Sequence, residues 1–393
     1  MRLFVYEVIM QKTIRLFDQD SYMQAFDATV LACEACEERF AVILDATAFF
    51  PEEGGQSADT GKLADASVLD VQETDGVITH YTDAPLLPGT TVHGQLDFAA
   101  RYRKMQIHSG EHIVSGLMHA KYGYSNVGFH LGSEITMDFG GELTRAQLDE
   151  IEDEANRIIY ENVAITAEYP SPEVLAATAY RSKLELTESV RLVTIGEYDT
   201  CACCAPHVAR TGEIGMIKLL DAIRYKGGMR IHFLAGSAAL AHYRKTWSDV
   251  AALSAMLSVP QSEVVAGLER REAEIEKRGA TISALRRQLL DYKIAALTET
   301  EGNLCIFTDD PDMLSLRLLV NAGVEKCTGI CAAFYGNDQD GYRYIMGAAN
   351  VDLRALSKQI NTALDGKGGG SAQMIQGSCM ASKAKIRAYM ESL

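Results

Sequence analysis

Two short residue pairs, about a hundred positions apart, carry the metal-type side chains of this chain: His108-x-x-x-His112 and Cys203-x-x-x-His207. Neither pair could hold a metal alone. Together they offer three imidazoles and one thiolate, a tetrahedral nitrogen and sulfur set suited to zinc. The competing explanation is that the histidines are ordinary polar helix residues and the cysteines packed thiols. His108 and His112 lie in Gln106–Ala120 (QIHSGEHIVSGLMHA), which reads as a helix through apolar Ile113, Leu117 and Met118. The i, i+4 spacing puts both rings on one face. The second pair lies in Cys201–Val208 (CACCAPHV), a cysteine-rich turn in which spacing leaves the choice among Cys201, Cys203 and Cys204 open.

The order of residues differs from the zinc-peptidase motif, where the glutamate follows the first histidine. Here Glu111 directly precedes the second, as a candidate site acid or a solvated helix charge. His119 is about two turns beyond His112, too far to share the metal, and is expected to be structural.

A chain of 393 residues is too long for one core, so several domains are expected. Hydrophobic content of 47% and charged content of 23% place it with soluble globular proteins, and no apolar run reaches the ~20 residues of a membrane span. Met1–Met10 is apolar but contains Glu7 and lacks a small-residue cleavage site, so no signal peptide is expected; Met10 is an alternative start. Nine cysteines, three in the metal-type turn, suit a reducing compartment, and a cytoplasmic protein is expected. Cys33-x-x-Cys36 is expected to be a hairpin with two incidental thiols. A net charge of −16 argues against broad phosphate binding while leaving room for local basic surfaces. Arg101, Arg103 and Lys104 form one such cluster and Lys218, Arg224, Lys226 and Arg230 another; each is either a solvated face or a phosphate-contacting rim.

The positioning elements follow from periodicity. Residues 13–98 have short apolar runs broken by Gly, Asp and Pro, as in a β-rich, barrel-like subdomain. Within them Thr47–Gly61 (TAFFPEEGGQSADTG) is a loop whose Gly54 and Gly55 can bring backbone N–H groups to a ligand. Residues 99–246 mix helices (104–121, 144–162, 171–181) with strands (190–195, 214–220, 229–234), an α+β core. In 247–298, Leu268, Ile275, Ile282 and Leu289 recur every seven residues, giving a long helix or imperfect coiled coil with Pro260 just before it. Residues 299–393 have α/β patterning and contain Asp365–Ser371 (DGKGGGS), a glycine-dense turn able to wrap a phosphate. The fold class is therefore α+β in four parts.

The order of these segments resembles the long AlaX-type alanyl-tRNA editing proteins, similar to the editing half of alanyl-tRNA synthetase. Thr47–Gln56 resembles that family's T-x-F-(F/Y)-P-x-G-G-G-Q loop, and His108–His112 its H-x-x-x-H helix. Cys203–His207, followed by Thr211-Gly-Glu-Ile-Gly, resembles its C-x-x-x-H-V-x-x-T-G-E-I-G element. Gly366–Gly370 matches its G-x-G-G-G stretch, which makes 299–393 a DHH-associated domain. Departures are Glu53 for a glycine, Ser57 for a proline, Cys204-Ala205-Pro206 for Gly-Gly-Thr, and Ser371-Ala372 for Arg-Pro, the last removing a cation.

The resemblance implies one Zn2+ per chain on His108, His112, Cys203 and His207, and hydrolysis of the ester joining a wrong amino acid, serine first and glycine second, to tRNA(Ala). It implies no aminoacylation domain. Thr47 would read the serine hydroxyl, Gln56 would orient the substrate and Glu111 would act as the site acid. Gly54, Gly55, Arg230, Lys367, Gly368, Gly369 and Gly370 would contact substrate or tRNA. A homodimer through the C-terminal region and no membrane association are expected. A tRNA-binding module with a structural zinc, and a metal-dependent hydrolase of other esters, are the alternatives.

Overall fold

The computed structural model describes residues 12–132, 134–182 and 190–393; the Met1–Met10 segment lies outside them. The described residues form a mixed α and β chain that divides into two compact units, Met1–Ala251 and Ala252–Leu393. Among them no single helix is long and apolar enough to cross a membrane.

The first unit begins with a closed six-stranded barrel. Its strands are β1 (Ala25–Cys36), β2 (Arg39–Leu44), β3 (Gly61–Leu63), β4 (Ala66–Thr74), β5 (Val77–Thr82) and β6 (Thr91–Leu96), in the order β1-β2-β5-β4-β3-β6. Alternation fixes which faces turn inward: Ile78, His80 and Thr82 on β5 are buried and their neighbours are not. Cys33 and Cys36 are free thiols on the β1–β2 hairpin. The long connection from β2 to β3 carries the Thr47–Gly61 loop.

Helix α1 (Phe98–Tyr122) follows, capped by the Asp97 side chain at its start and by Gly123 in the left-handed region at its end. Every residue from Met105 to Met118 is buried, although the segment includes two histidines, a glutamate and two serines. A helix covered on all sides must satisfy those polar groups internally. One cover is the antiparallel sheet β12-β13-β8-β7, made of β7 (Asn126–Leu131), β8 (Ile135–Phe139), β12 (Ile217–Tyr225) and β13 (Gly228–Ala235). Another is α2 (Arg145–Glu161), which starts at a Thr144–Gln147 capping box. A third is the sheet β9-β10-β11, formed by β9 (Ile165–Glu168), β10 (Leu192–Ile195) and β11 (Asp199–Ala202).

The helix expected over 171–181 is only Pro172–Ala177. It stops because Arg181 is drawn into the fold: its N–H bonds Thr200 and its guanidinium pairs with Asp199 at 2.7 Å.

Helix α3 (Gly236–Leu257) runs past the boundary between the units, and α4 (Val264–Ala295) begins after Pro260. Leu268, Ile275, Ile282 and Leu289 are 51–67% exposed, so among the described residues nothing covers the seven-residue stripe of α4. The second unit then forms a five-stranded sheet, β14-β15-β16-β18-β17, from β14 (Leu304–Thr308), β15 (Ile330–Asn337), β16 (Gly341–Ala348), β17 (Gly366–Gly370) and β18 (Met374–Cys379). Helices α5 (Met313–Val324), α6 (Leu353–Ala363) and α7 (Lys383–Ser392) complete it.

The glycine-dense turn of the sequence is not a turn. Gly366–Gly370 is the edge strand β17, antiparallel to β18. Its glycines make room: a Cβ on Gly368 would lie 2.5 Å from both the Gln376 carbonyl and the Tyr344 hydroxyl, and one on Gly370 2.3 Å from the Met374 carbonyl. Asn361 and Arg354 on α6 donate to the Gly368 and Gly370 carbonyls, which closes part of that open edge.

Candidate metal centre

The ligand-type atoms of His108, His112, Cys203 and His207 all lie within 4.8 Å of one another. Cys203 Sγ is 3.6 Å from His108 Nε2 and 3.4 Å from His207 Nε2. Bond lengths of ~2.3 Å to sulfur and ~2.0–2.1 Å to nitrogen at a tetrahedral angle require a sulfur–nitrogen separation of about 3.6 Å. The donors are thus already spaced for a zinc ion.

Each imidazole is held from behind. His108 Nδ1 faces Gln56 Oε1 at 3.0 Å, His112 Nδ1 faces Asp199 Oδ2 at 3.3 Å, and His207 Nδ1 faces Ser109 Oγ at 2.9 Å. An amide oxygen and a carboxylate only accept, so His108 and His112 each carry a proton on Nδ1, and Nε2 is the atom each could offer a metal. Partners behind the ligands that fix tautomer and ring angle are the usual support of a metal site.

Electrostatics separates the three cysteines. Burial alone would raise the Cys203 thiol, but its interaction with His108 and its hydrogen bonds with His108, His112 and His207 outweigh it, holding Cys203 well below the ordinary thiol range. Burial pushes Cys201 and Cys204 up, the latter further through Cys203 and Glu53. Only Cys203 is a ready thiolate. Burial also lowers His207 to about 3, which keeps it neutral. Burial works against charge on His112 too, yet hydrogen bonds with Asp199 and Cys203 raise it well above its ordinary value.

The loop beside the cluster is anchored through its backbone. Gly54 and Gly55 have φ of +64° and +83°, and a Cβ on Gly55 would lie 2.3 Å from the Phe129 carbonyl. Glu53 replaces a family glycine without strain because its φ is not positive; it is exposed and hydrogen-bonds Cys204. Thr47 is fully buried, with Oγ1 2.8 Å from His80 Nε2. His80 Nδ1 faces the Val42 carbonyl at 3.2 Å and must donate to it, so Nε2 accepts the Thr47 proton. Phe49 N–H donates to Thr47 Oγ1, leaving that oxygen one lone pair.

Glu111 is buried beside His112. Its Oε1 accepts from Ser115 at 2.6 Å and from Asn126, and its Oε2 lies 3.8 Å from His112 Nε2. It is not a solvated helix charge. His119, by contrast, is exposed near the end of α1.

The basic rim is corrected at Arg101. This residue is fully buried: Nε donates to Asp59 Oδ2 at 2.6 Å and Nη2 to Asp59 Oδ2 and the Ala48 carbonyl, tying α1 to the loop. Arg103 is exposed, while Lys104 bonds the Ser57 and Ala58 carbonyls. Arg230 pairs bidentately with Asp138 at 2.6 and 2.7 Å, its guanidinium 3.9 Å from the centre of the Tyr225 ring. Lys367, Gly368, Gly369 and Gly370 lie on β17 in the second unit.

Asp199, Ser109, His80 and Asp59 support the site without a local motif to announce them. Their partners are distant in sequence, and only the fold brings them together. Arg191 likewise clamps the cysteine turn by donating to the Cys203 and Ala205 carbonyls.

Comparison with known proteins bears on the cysteine half of the cluster and on the loop beside it. Residues 190–232 match the family described as threonyl and alanyl tRNA synthetase second additional domain, and residues 6–100 match tRNA synthetases class II (A). The first stretch contains Cys203 and His207, the second Thr47 and Gln56. The alanyl-tRNA editing protein AlaX-L of Pyrococcus horikoshii is 28% identical over 95% of this chain and 96% of its own length. Over nearly its whole length the chain is therefore similar to an AlaX-type alanyl-tRNA editing protein. The similarity extends to the larger alanine–tRNA ligases. The alanine–tRNA ligase of Halobacterium salinarum (strain ATCC 29341 / DSM 671 / R1) is 34% identical over 86% of this chain and 38% of the ligase. That of Thermococcus kodakarensis is 31% identical over 93% of the chain and 41% of the ligase. The chain thus spans well under half the length of these ligases.

Proposed function

We infer that this protein hydrolyses the ester linking a wrongly attached amino acid, serine first and glycine second, to tRNA(Ala). The observation that carries the reading is the convergence of His108, His112, Cys203 and His207 beside the Gly54–Gln56 loop. A zinc ion on these four residues would polarise the ester carbonyl or acidify a bound water. Glu111, whose Oε2 lies beside His112, would take the proton released by the attacking water, while Ser115 and Asn126 hold its other oxygen. The products are the free amino acid and tRNA with its terminal hydroxyl restored.

Selectivity rests on Thr47. Its proton is committed to His80, so it meets a serine hydroxyl as an acceptor. Alanine would leave that lone pair unused in a buried setting, a difference of roughly 1–3 kcal/mol. Arg230 and the Lys367–Gly370 strand are the proposed tRNA contacts, with Lys367 exposed. The exposed stripe on α4 suits a homodimer through the C-terminal region; a light-scattering mass of one chain, 42.9 kDa, would remove that element.

The test compares Ser-tRNA(Ala) with Ala-tRNA(Ala), using wild type and Cys203→Ala, with tRNA binding measured separately. Release of serine with alanine spared, lost in the variant, is expected. Binding of tRNA without release would favour a binding module with a structural metal. Hydrolysis of small esters in the absence of tRNA would favour a general hydrolase.

A further inference from the structure

Four protein ligands complete a tetrahedron, so turnover needs a fifth position or the release of one ligand. The three imidazoles are not equally secured. His112 is backed by the Asp199 carboxylate, itself gripped by Arg181 through two 2.7 Å bonds. His207 is backed by Ser109, which sits on α1 between the two helix ligands and also accepts from Val208 N–H. His207 further shares its turn with Cys203. His108 alone is backed by a neutral amide, and that amide comes from the Gly54–Gln56 loop. A carboxylate partner strengthens an imidazole as a donor more than an amide or a hydroxyl does, and His207 is also tied down through the turn it shares with Cys203, so His108 is the ligand whose hold depends on the Gly54–Gln56 loop.

Gln56 is itself incomplete. The residue is fully buried, and its Nε2 has no hydrogen-bond partner among the described residues. The amide cannot be reversed to cure this, since a metal-facing Nε2 on His108 requires an acceptor at Nδ1. Nor can the backbone carry it elsewhere. Gln56 N and O bond Glu53 O and N, and the neighbouring Gly55 carbonyl accepts from Leu131 N–H at 3.0 Å. A buried donor without an acceptor is costly, and an oxygen arriving with a ligand would relieve it.

We propose that Gln56 relays substrate binding to the metal: Oε1 holds His108, Nε2 donates to an oxygen of the aminoacyl group, and His108 is the ligand that yields as substrate enters. The inference rests on the editing reading and adds which ligand moves and which residue moves it. Asp199 and Ser109 keep His112 and His207 in place meanwhile.

The test uses the full-length protein loaded with Co2+, whose visible absorption reports coordination number, and 3′-deoxy-3′-(L-serylamino)adenosine, in which an amide replaces the ester. The wild-type spectrum should change when this probe binds. Gln56→Glu keeps the acceptor and loses the donor. It should hold Co2+ at least as tightly as wild type, bind the probe roughly tenfold more weakly, and show no spectral change. Gln56→Met loses both atoms at similar volume and should weaken Co2+ binding roughly tenfold or more. Asp199→Asn should also weaken Co2+ binding but keep the spectral response. The proposal is overturned if Gln56→Glu retains that response, if Gln56→Met binds Co2+ like wild type, or if wild type binds the probe with an unchanged spectrum while still deacylating Ser-tRNA(Ala). If wild type neither binds the probe nor releases serine, the editing reading falls, and this inference with it.

Discussion

Replacing Arg101 with leucine tests how the helix that carries His108 and His112 is joined to the Thr47–Gly61 loop. Arg101 and Asp59 are 0% and 2% exposed, so both charges are out of water. The guanidinium also bonds the Ala48 carbonyl at 2.6 Å, one residue from Thr47, and Asp59 Oδ2 accepts from Phe50 N–H at 2.8 Å. In Arg101→Leu the carboxylate keeps that N–H and a distant Lys104, 3.9 Å away, and loses its counter-ion. Stranding a buried charge in this way costs about 3–5 kcal/mol. For a unit of this size that corresponds to roughly 6–20 °C in melting temperature. The assay is thermal melting by far-ultraviolet circular dichroism with Arg103→Leu as the exposed control, expected within about 0.5 kcal/mol of wild type. The double variant Arg101→Leu/Asp59→Leu removes both charges and should recover at least half of the loss. A single variant within about 1 kcal/mol of wild type, or a double variant as unstable as the two singles summed, would refute the reasoning.

Three further outcomes follow from the same geometry. Asp199→Asn removes the carboxylate behind His112 and should weaken zinc binding by about 10–100-fold, read by competition with a chelating dye. Burial holds His80 at about 4, below its ordinary 6.5, so it stays neutral in the folded protein and protonates more readily when unfolded. The folded state binds fewer protons, and stability should fall as pH drops from 6.5 toward 4, by up to about 3 kcal/mol. Chemical denaturation across that range should show the loss, and His80→Gln should flatten it. Gly55→Ala meets a backbone carbonyl at 2.3 Å in a left-handed conformation, so deacylation should fall at least tenfold while the melting temperature of the second unit is unchanged.

The candidate ligand residues were legible because their spacing is local. His108 and His112 are one helical turn apart, and Cys203 and His207 sit in a single short turn, so type and interval alone marked them. The barrel strands were legible where buried and exposed residues alternate, as on β5. What supports these residues was not. Arg101 looked like part of a surface cluster because its partner lies 42 positions away and only a closed barrel against α1 brings Asp59 to it. Spacing could not choose among Cys201, Cys203 and Cys204; three converging imidazoles do so by stabilising one thiolate. Gly366–Gly370 read as a turn because glycine is common there, but a neighbouring strand and Tyr344 leave no room for a side chain at Gly366, Gly368 or Gly370. The helix over 171–181 was cut short by Arg181, whose attraction to Asp199 exceeds local helical preference.

The account depends most directly on a zinc titration of metal-free protein under single-turnover conditions with Ser-tRNA(Ala). Serine release should rise with added zinc and saturate at one equivalent per chain, with Cys203→Ala inactive at every concentration while still binding tRNA. Full release by the metal-free protein, or by Cys203→Ala, would contradict a reaction centred on these four ligands.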